Sequence, residues 1–291
     1  MPDRRDAIQA IMRHSSYREA DQDVDYLARD DTRGVRLQLD YSKAETLLTA
    51  HGIAHTIVVF GSTRIPEPDA ARAALAAAET ALAANPGEPG LQRRLAVRRR
   101  VLESSRFYDV ARTFGRLVAG AHQDAQGGHI VVMTGGGPGI MEAANRGAHD
   151  LGCKTVGLNI SLPYEQEPNP YVTPDLCFLF HYFAIRKLHF LLRARALVVF
   201  PGGYGTLDEL FEVLALVQTR KIAALPVILM GEAWWKQVLN LTFLADEGVI
   251  DPADLDLFRY CETAEQAWQD IVQWYEAKGK PLLVRHPGAA H

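Results

Sequence analysis

Two glycine-rich turns carry the residues best placed to do chemistry. Residues 134–139 read TGGGPG and residues 201–206 read PGGYGT, and each turn follows an apolar run. Glycines after a strand let backbone N–H groups approach an anion, and the helix that follows adds the positive end of its dipole. The two turns therefore predict a site for a phosphorylated ligand.

An acidic residue follows the second turn at a spacing that allows two interpretations. Glu209 lies three residues after Thr206, which is the spacing of a capping box in which both residues only cap a helix. In the other interpretation, Glu209 lies one helical turn beyond a phosphate-binding loop and faces the ligand. Spacing alone leaves both interpretations open.

The first turn fits the common nucleotide-binding motifs only in part. Gly135 and Gly137 match the dinucleotide fingerprint, but its third glycine would fall at Ile140, and Asn159 stands where an acid is expected. NAD binding is therefore disfavoured. A Walker P-loop is excluded because no Gly-Lys-Ser/Thr sequence follows. Taken alone, this turn also fits a tight strand–helix connection without any ligand.

Strands that alternate with helices must position both turns. Continuous apolar runs predict buried strands at 56–60, 129–133, 154–159, 176–180, 196–200 and 226–230. Helices are predicted at 70–84, 91–125, 140–150, 182–195, 207–220, 234–247 and 264–276. This alternation predicts an α/β fold with a Rossmann-like doubly wound, mostly parallel sheet and helices on both faces. Such sheets bind ligands beyond the carboxyl ends of their strands, where both turns fall.

The chain divides by composition into three parts. Residues 1–50 are polar and charged and are predicted to form an N-terminal extension, partly ordered at best until it docks. Residues 51–280 are predicted to form one nucleotide-binding catalytic domain, and residues 281–291 a flexible tail. The helical stretch 91–125 carries a run of five arginines, which is typical of a solvated or intersubunit face.

Composition limits the partners and the location. The 291 residues carry 31 basic and 35 acidic side chains, a net charge of −4, whereas proteins that bind DNA or anionic membranes usually have a basic excess. No apolar stretch approaches the roughly 20 residues that span a bilayer, and no signal peptide is evident. The three cysteines are sparse and match no zinc motif. These features predict a cytoplasmic protein without a metal site, a membrane partner or a nucleic-acid partner.

Specific motifs resemble one enzyme family. PGGYGTLDE, residues 201–209, resembles the PGGxGTxxE motif of the "lonely guy" family of cytokinin-activating phosphoribohydrolases, long described as lysine decarboxylases. A second family element is an Arg-Lys pair, here Arg186 and Lys187. Residues 134–148 resemble the family's first glycine turn and helix, and FGSTR at 60–64 resembles its Gly-Ser loop. The resemblance covers residues 55–250.

The resemblance implies hydrolysis of the N-glycosidic bond of a purine riboside 5′-monophosphate, of adenosine or cytokinin type, to free base and ribose 5-phosphate. Arg186 and Glu209 would pair as catalytic residues, because a carboxylate stabilises oxocarbenium charge or orients water. Lys187 is grouped with the substrate-binding residues, although it points elsewhere on its helix. The remaining predicted binding residues are Gly61, Ser62, Gly136, Gly137, Gly202, Gly203, Gly205 and Thr206. The resemblance implies no cofactor, and a homo-oligomer, either a dimer or a hexamer.

Two other functions share these motifs. A non-catalytic carrier of a phosphorylated pterin or molybdenum cofactor would use the same sheet and glycine turns, but it needs no paired arginine and glutamate. A lysine decarboxylase would normally require pyridoxal phosphate bound to a lysine, and no sequence element is dedicated to that cofactor.

Overall fold

Seven parallel strands form one sheet in a computed structural model that describes residues 3–121, 129–163 and 167–282. The strands are β1 (Ile53–Phe60), β2 (His129–Thr134), β3 (Thr155–Ile160), β4 (Cys177–Phe180), β5 (Ala194–Val199), β6 (Val227–Met230) and β7 (Arg259–Cys261). Their order across the sheet is β4-β3-β2-β1-β5-β6-β7, and every neighbouring pair is parallel.

Helices connect the strands and cover both faces of the sheet. They are α1 (Arg4–Arg13), α2 (Val24–Leu27), α3 (Arg33–Ala50), α4 (Pro68–Ala84), α5 (Leu91–Ser104), α6 (Arg106–Ala121), α7 (Ile140–His149), α8 (Phe183–Leu192), α9 (Tyr204–Gln218), α10 (Glu232–Val238), α11 (Leu241–Asp246) and α12 (Ala264–Ala277). Within the described ranges, no helix combines the length and apolarity needed to cross a membrane.

The central strands are apolar along their length because each face packs against helices. Alternate residues of β1 point to opposite sides: Ile57 and Val59 join a core with α6, α7 and α12, and Val58 and Phe60 join a core with α3, α8, α9 and α10. The predicted doubly wound α/β fold is therefore confirmed.

Several element boundaries differ from the predictions. The predicted helix 91–125 is two helices that break at Ser105, whose Oγ donates to the Leu102 carbonyl at 2.7 Å, and residues 122–128 of that prediction lie outside the described residues. The predicted helix 234–247 is also two helices, because Asn240 caps α11 through the Phe243 N–H at 3.2 Å. Strand β7 and helix α3 were not predicted.

Helix α3 packs on the body of the protein. Its Ala44 and Leu48 are each 1% exposed and join the core beneath α8 and α9. The division at residue 50 stays a prediction, but residues 33–50 are helical and docked. At the other end, Leu282 is buried against the opposite core, and residues 283–291 of the predicted tail lie outside the described residues.

The strand order reverses between β1 and β5, which creates a crevice at their carboxyl ends. From β1 the chain builds the sheet first toward β2, β3 and β4, and then returns to place β5 on the other side of β1. Phe60 and Val199 are partners in the parallel register, so β1 and β5 end together. Ligands of open α/β sheets bind at such a switch point.

Facing glycines let α6 and α7 pack closely. A Cβ atom on Gly147 would meet the backbone carbonyl oxygen of Arg112, and one on Gly115 would meet that of Ala144. We expect Gly147→Ala to lower the free energy of unfolding by about 1–3 kcal/mol because the backbones must separate. Urea denaturation measures this change.

Gly120→Ala on α6 is the matched control. No atom lies within 4 Å of the Cβ it would add, so we expect stability to be unchanged or raised by up to about 1 kcal/mol, the helix preference of alanine over glycine. Equal effects of the two substitutions would contradict close packing at Gly147.

Candidate active site

A cavity of about 570 Å³ opens at the switch point between β1 and β5. Five of the residues predicted to bind substrate line it: Gly61, Ser62, Gly203, Gly205 and Thr206. The two predicted catalytic residues, Arg186 and Glu209, line it as well. The fold therefore brings seven of the predicted site residues to one place, from the loop after β1, from α8 and from the start of α9.

Helix α9 begins earlier than a capping box at Thr206 and Glu209 would require. Its first residue is Tyr204, its N-cap is Gly203, and no side chain caps it. The capping-box interpretation is therefore wrong, and the N–H groups of the first turn lack intrahelical partners. Because this turn lines the cavity, these N–H groups and the helix dipole favour an anion there.

Arg186 and Glu209 contact each other in the cavity wall, as predicted. Arg186 Nη2 donates to Glu209 Oε1 at 3.4 Å, and the two side chains are 14% and 7% exposed. This single contact is longer than a typical charge-assisted hydrogen bond. Both groups therefore keep unused hydrogen-bonding capacity.

Burial controls the ionisation of this pair. It raises the pKa of Glu209 to about 7, and the neighbouring Arg186 charge, which lowers that pKa, offsets only part of the effect. Burial also lowers the pKa of Arg186, although a guanidinium keeps its charge near neutral pH. A carboxyl group with a pKa near 7 is suited to proton transfer or to a change of charge at neutral pH.

Aromatic rings hold the Arg186 guanidinium. Its Cζ lies 4.9 Å from the ring centroid of Phe183 and 5.6 Å from that of Phe190, both on α8. The Nε atom is buried and has no hydrogen-bond partner among the described residues. An unpaired buried donor is unfavourable, so the contacts of the guanidinium with the two rings must offset this cost.

Helix α3 fixes the start of α8, the helix that carries Arg186. Asp40 Oδ2 accepts from the backbone N–H groups of His181 and Tyr182, both at 2.9 Å. Arg36 Nε donates to the Tyr182 hydroxyl at 3.1 Å. A carboxylate at a helix N-terminus satisfies free N–H groups and complements the helix dipole. Residues 33–50 thus support the site from behind.

His189 is packed within this support. It is 1% exposed, its Nδ1 lies 2.8 Å from the Ile185 carbonyl oxygen, and its ring contacts Tyr41 and Phe180. It does not line the cavity.

The first glycine turn reaches the cavity through Gly135, whereas the predicted binding residues Gly136 and Gly137 do not line it. The Gly136 N–H donates to Thr134 Oγ1 at 2.9 Å, and the Gly137 carbonyl accepts from Asn169 Nδ2 at 3.0 Å. Buried polar side chains therefore hold this turn, and the Gly136 N–H is already engaged.

The same turn locks the loop after β1. The Ile140 N–H at the start of α7 donates to the Ser62 carbonyl at 3.1 Å. Gly139, at φ +72°, lies so close to this loop that a Cβ atom would meet the Ser62 carbonyl oxygen. The first turn thus positions Gly61 and Ser62 in the cavity wall.

Two further predicted binding residues lie outside the cavity. Lys187 Nζ lies 3.0 Å from carboxylate oxygens of both Asp208 and Glu212 on α9. Gly202 packs under Thr206, whose side chain would collide with any Cβ atom at that position. Lys187 therefore ties α8 to α9, and Gly202 shapes the turn.

Sequence patterns missed part of the cavity lining. Asn159, at the end of β3, lines the cavity at the position where a dinucleotide-binding protein has an acid. Arg64 lines it from the loop after β1, and Tyr204, 93% exposed, stands at its mouth. The remaining wall is apolar and includes Met141, Ile160, Leu162, Phe183 and Phe190. Asn159 could have been identified from its place at the carboxyl end of a predicted strand, but the apolar wall has no sequence signature.

The described residues contain no group of three or more histidine, cysteine, aspartate or glutamate side chains arranged to hold a metal ion. In the same part of the chain Cys153, Cys177 and Cys261 are free thiols.

Comparisons with known proteins point to one family. A family model described as "Possible lysine decarboxylase" matches residues 141–271. A probable cytokinin riboside 5′-monophosphate phosphoribohydrolase, LOG4 of Oryza sativa subsp. japonica, is 30% identical over 138 residues, or 46% of this chain and 58% of that protein. A cytokinin riboside 5′-monophosphate phosphoribohydrolase, LOG5 of Arabidopsis thaliana, is 27% identical over 144 residues, which are 48% of this chain and 62% of that protein. The chain thus spans about three fifths of the length of these relatives.

Two solved structures are also similar. An X-ray structure from a structural genomics consortium has a TM-score of 0.42 at 20% identity and covers 75% of this chain and 99% of its own. The molybdenum cofactor binding protein of Rippkaea orientalis has a TM-score of 0.41 at 22% identity, and the match covers 58% of this chain and 87% of that protein's chain. The family resemblance itself is confirmed by the sequence matches: over about half of its length, this chain is similar to the lonely guy family of cytokinin riboside 5′-monophosphate phosphoribohydrolases.

Proposed function

We propose that this protein hydrolyses the N-glycosidic bond of a purine riboside 5′-monophosphate and releases the free base and ribose 5-phosphate. The observation that carries the proposal is the buried contact between Arg186 and Glu209, in the same cavity as the uncapped start of α9. Similarity to the cytokinin riboside monophosphate hydrolases supports the choice of substrate. The proposal covers substrates whose base is either adenine or a prenylated adenine.

The 5′-phosphate binds at the start of α9. The N–H groups of Gly205 and Thr206 lie in the first turn of this helix, and Ser62 and Arg64 face the same cavity. This cradle omits Gly136, Gly137, Gly202 and Lys187, none of which lines the cavity. Because the phosphate is remote from the bond that breaks, its binding energy serves to hold the sugar beside Glu209.

The acid and the arginine act on the other end of the ribose. When the C1′–N9 bond breaks, positive charge develops on the sugar, and ionised Glu209 stabilises this charge and orients the attacking water. The water oxygen bonds to C1′ as the C1′–N9 bond breaks, and the proton that the water gives up passes through Glu209 to the departing base. Arg186 lines the same cavity and holds Glu209 in place, and the terminal N–H groups that Glu209 does not use donate to the base or the ribose hydroxyls.

The apolar wall accommodates the base. Met141, Leu162, Phe183 and Phe190 line the cavity beside Arg186. Aromatic and aliphatic side chains bind the flat faces of a purine and exclude water from the reacting bond.

Other expectations stay predictions. The proposed reaction involves no cofactor. A cytoplasmic location and assembly into a homodimer or homohexamer are further predictions, and the proposed reaction does not rest on either. The carrier function for a pterin or molybdenum cofactor is the competing prediction. A carrier has no use for a buried arginine and glutamate in contact, so turnover separates the two functions.

Monophosphates should be strongly preferred over nucleosides. We expect the purified protein to release adenine from AMP at least about a hundredfold more efficiently, in kcat/KM, than from adenosine, because adenosine cannot use the α9 amides. Chromatographic detection of free adenine measures both rates. Equal turnover of AMP and adenosine would contradict phosphate binding at α9.

Glu209→Gln should abolish most of the activity. The amide keeps the shape of the side chain but removes the charge that stabilises the sugar cation, so we expect kcat to fall at least about a hundredfold. Glu212→Gln is the matched control, because Glu212 lies on the same helix and pairs with Lys187 outside the cavity. Since Asp208 still pairs with Lys187 in this variant, we expect the control to keep activity within about twofold. A Glu209→Gln protein that folds normally and remains fully active would refute the catalytic role of Glu209.

The pH profile should follow the ionisation of Glu209. Since burial raises its pKa to about 7 and the ionised form is required, kcat/KM should rise with pH and level off above about pH 7. Arg186→Met removes the charge that lowers this pKa, so the rising limb should move to higher pH, beyond the loss of rate itself. If kcat/KM instead falls as the pH rises through 7, the protonated form of Glu209 is the active one. If the midpoint of the pH profile is the same in Arg186→Met as in the unmodified protein, the charge of Arg186 does not affect the ionisation of Glu209.

A further inference from the structure

A second cavity, of about 700 Å³, lies beside the candidate active site and is lined by four arginines. Arg93, Arg94 and Arg98 come from α5, and Arg64 comes from the loop after β1. The residues that complete the lining are Thr63, Pro66, Gly90, Val97 and Val101. We call this cavity the arginine groove. No acidic residue is among its lining residues in the described part of the chain.

The four arginines of the groove carry uncompensated charge. Among the described residues, none of them has a carboxylate within 4.0 Å, whereas Arg99, which does not line the groove, lies 3.8 Å from Glu79. Arg94 and Arg98 are four residues apart on α5, a spacing at which like charges repel each other, and a bound polyanion would remove this repulsion. This concentration of positive charge stands out in a chain whose net charge is −4.

The positions of the arginines suit several linked phosphates. Arg94 and Arg98 lie one turn apart on α5, a rise of about 6 Å along the helix, and Arg93 flanks them. Arg64 approaches from a different element. Guanidinium groups bind phosphate oxygens through two parallel N–H bonds, so four of them match more negative charge than one monophosphate carries.

We propose that the arginine groove binds a small molecule with two or more linked phosphate groups, at a site distinct from the cavity of Arg186 and Glu209. Its volume lies within the range of about 300–1,000 Å³ typical of small-molecule sites. A polynucleotide fits less well, because the net charge of the whole chain repels it. Binding of a ligand in this groove does not depend on the proposed hydrolysis.

The groove and the candidate active site share a wall. Thr63 and Arg64 line both cavities, next to Gly61 and Ser62 in the loop after β1. A ligand in the arginine groove therefore contacts the loop that forms one side of the active-site cavity.

Calorimetry with inorganic triphosphate tests the proposal on the full chain. We expect triphosphate to bind, and orthophosphate to bind at least about tenfold more weakly at about 0.15 M salt, because it engages fewer guanidinium groups. The combined variant Arg93→Gln, Arg94→Gln and Arg98→Gln should weaken triphosphate binding at least about tenfold. Glutamine preserves helix propensity, so α5 should stay folded, which circular dichroism checks.

Two matched variants locate the site. Arg99→Gln removes a charge from the same helix outside the groove and should change triphosphate affinity by no more than about twofold. Arg186→Met should also leave triphosphate binding intact, because it alters only the active-site cavity. Neither measurement uses catalytic activity, so failure of the proposed hydrolysis would leave this test unaffected.

Several outcomes would overturn the proposal. If triphosphate binding is undetectable, or if Arg99→Gln and the combined variant lose the same amount of triphosphate affinity, the groove is a charged surface without a specific site. Loss of binding in Arg186→Met would place the triphosphate in the active-site cavity. A combined variant that changes oligomeric state in sedimentation velocity would identify the groove as a face between copies. Tighter binding of an RNA oligonucleotide than of triphosphate would identify a polynucleotide surface.

Discussion

The contact between Arg186 and Glu209 is the constraint on which the rest of the site depends. Both groups are largely removed from water, and a buried charge is unfavourable unless it is paired and hydrogen-bonded. Here the pairing is incomplete, since one contact of 3.4 Å joins them and Arg186 Nε has no partner among the described residues. Buried polar groups that lack a partner are rare in folded proteins and call for an explanation, which the proposed function provides for this pair. Because the charge of Arg186 offsets only part of the effect of burial, the pKa of Glu209 is raised to about 7.

Most of the surrounding structure serves to hold these two side chains at the switch point. Lys187 ties α8 to α9 through Asp208 and Glu212, on the side of the helix away from the cavity. Asp40 on α3 fixes the start of α8. The first glycine turn is held from beneath by Asn145, which accepts from Thr134 Oγ1 at 2.7 Å and from Asn169 Nδ2 at 3.0 Å. A buried polar network that is fully bonded rigidifies its surroundings.

The sheet could be predicted because its signals are local. Continuous apolar runs mark strands that are buried on both faces, and a glycine-rich turn between a strand and a helix marks the carboxyl edge of a sheet. The pairing of Arg186 with Glu209 came from family motifs rather than from spacing. Helix α3 escaped prediction because its residues are largely polar, and only Ala44 and Leu48 are fully buried. Where α9 begins could not be inferred either, since Thr206 and Glu209 have the spacing of a cap that the structure does not use.

The role of the first glycine turn depended on tertiary contacts that no local pattern reveals. Its glycines resemble a phosphate loop, yet the Gly136 N–H already donates to Thr134, and Gly139 serves close backbone packing against Ser62. The proposed phosphate cradle is therefore the start of α9 with Ser62 and Arg64, and it does not include Gly136 or Gly137. A crystal structure of the Glu209→Gln protein with AMP tests this arrangement most directly. We predict the phosphate on the N–H groups of the first turn of α9, with C1′ of the ribose facing residue 209 and Arg186 beside the base. A phosphate bound elsewhere, or a ribose turned away from residue 209, would contradict the account.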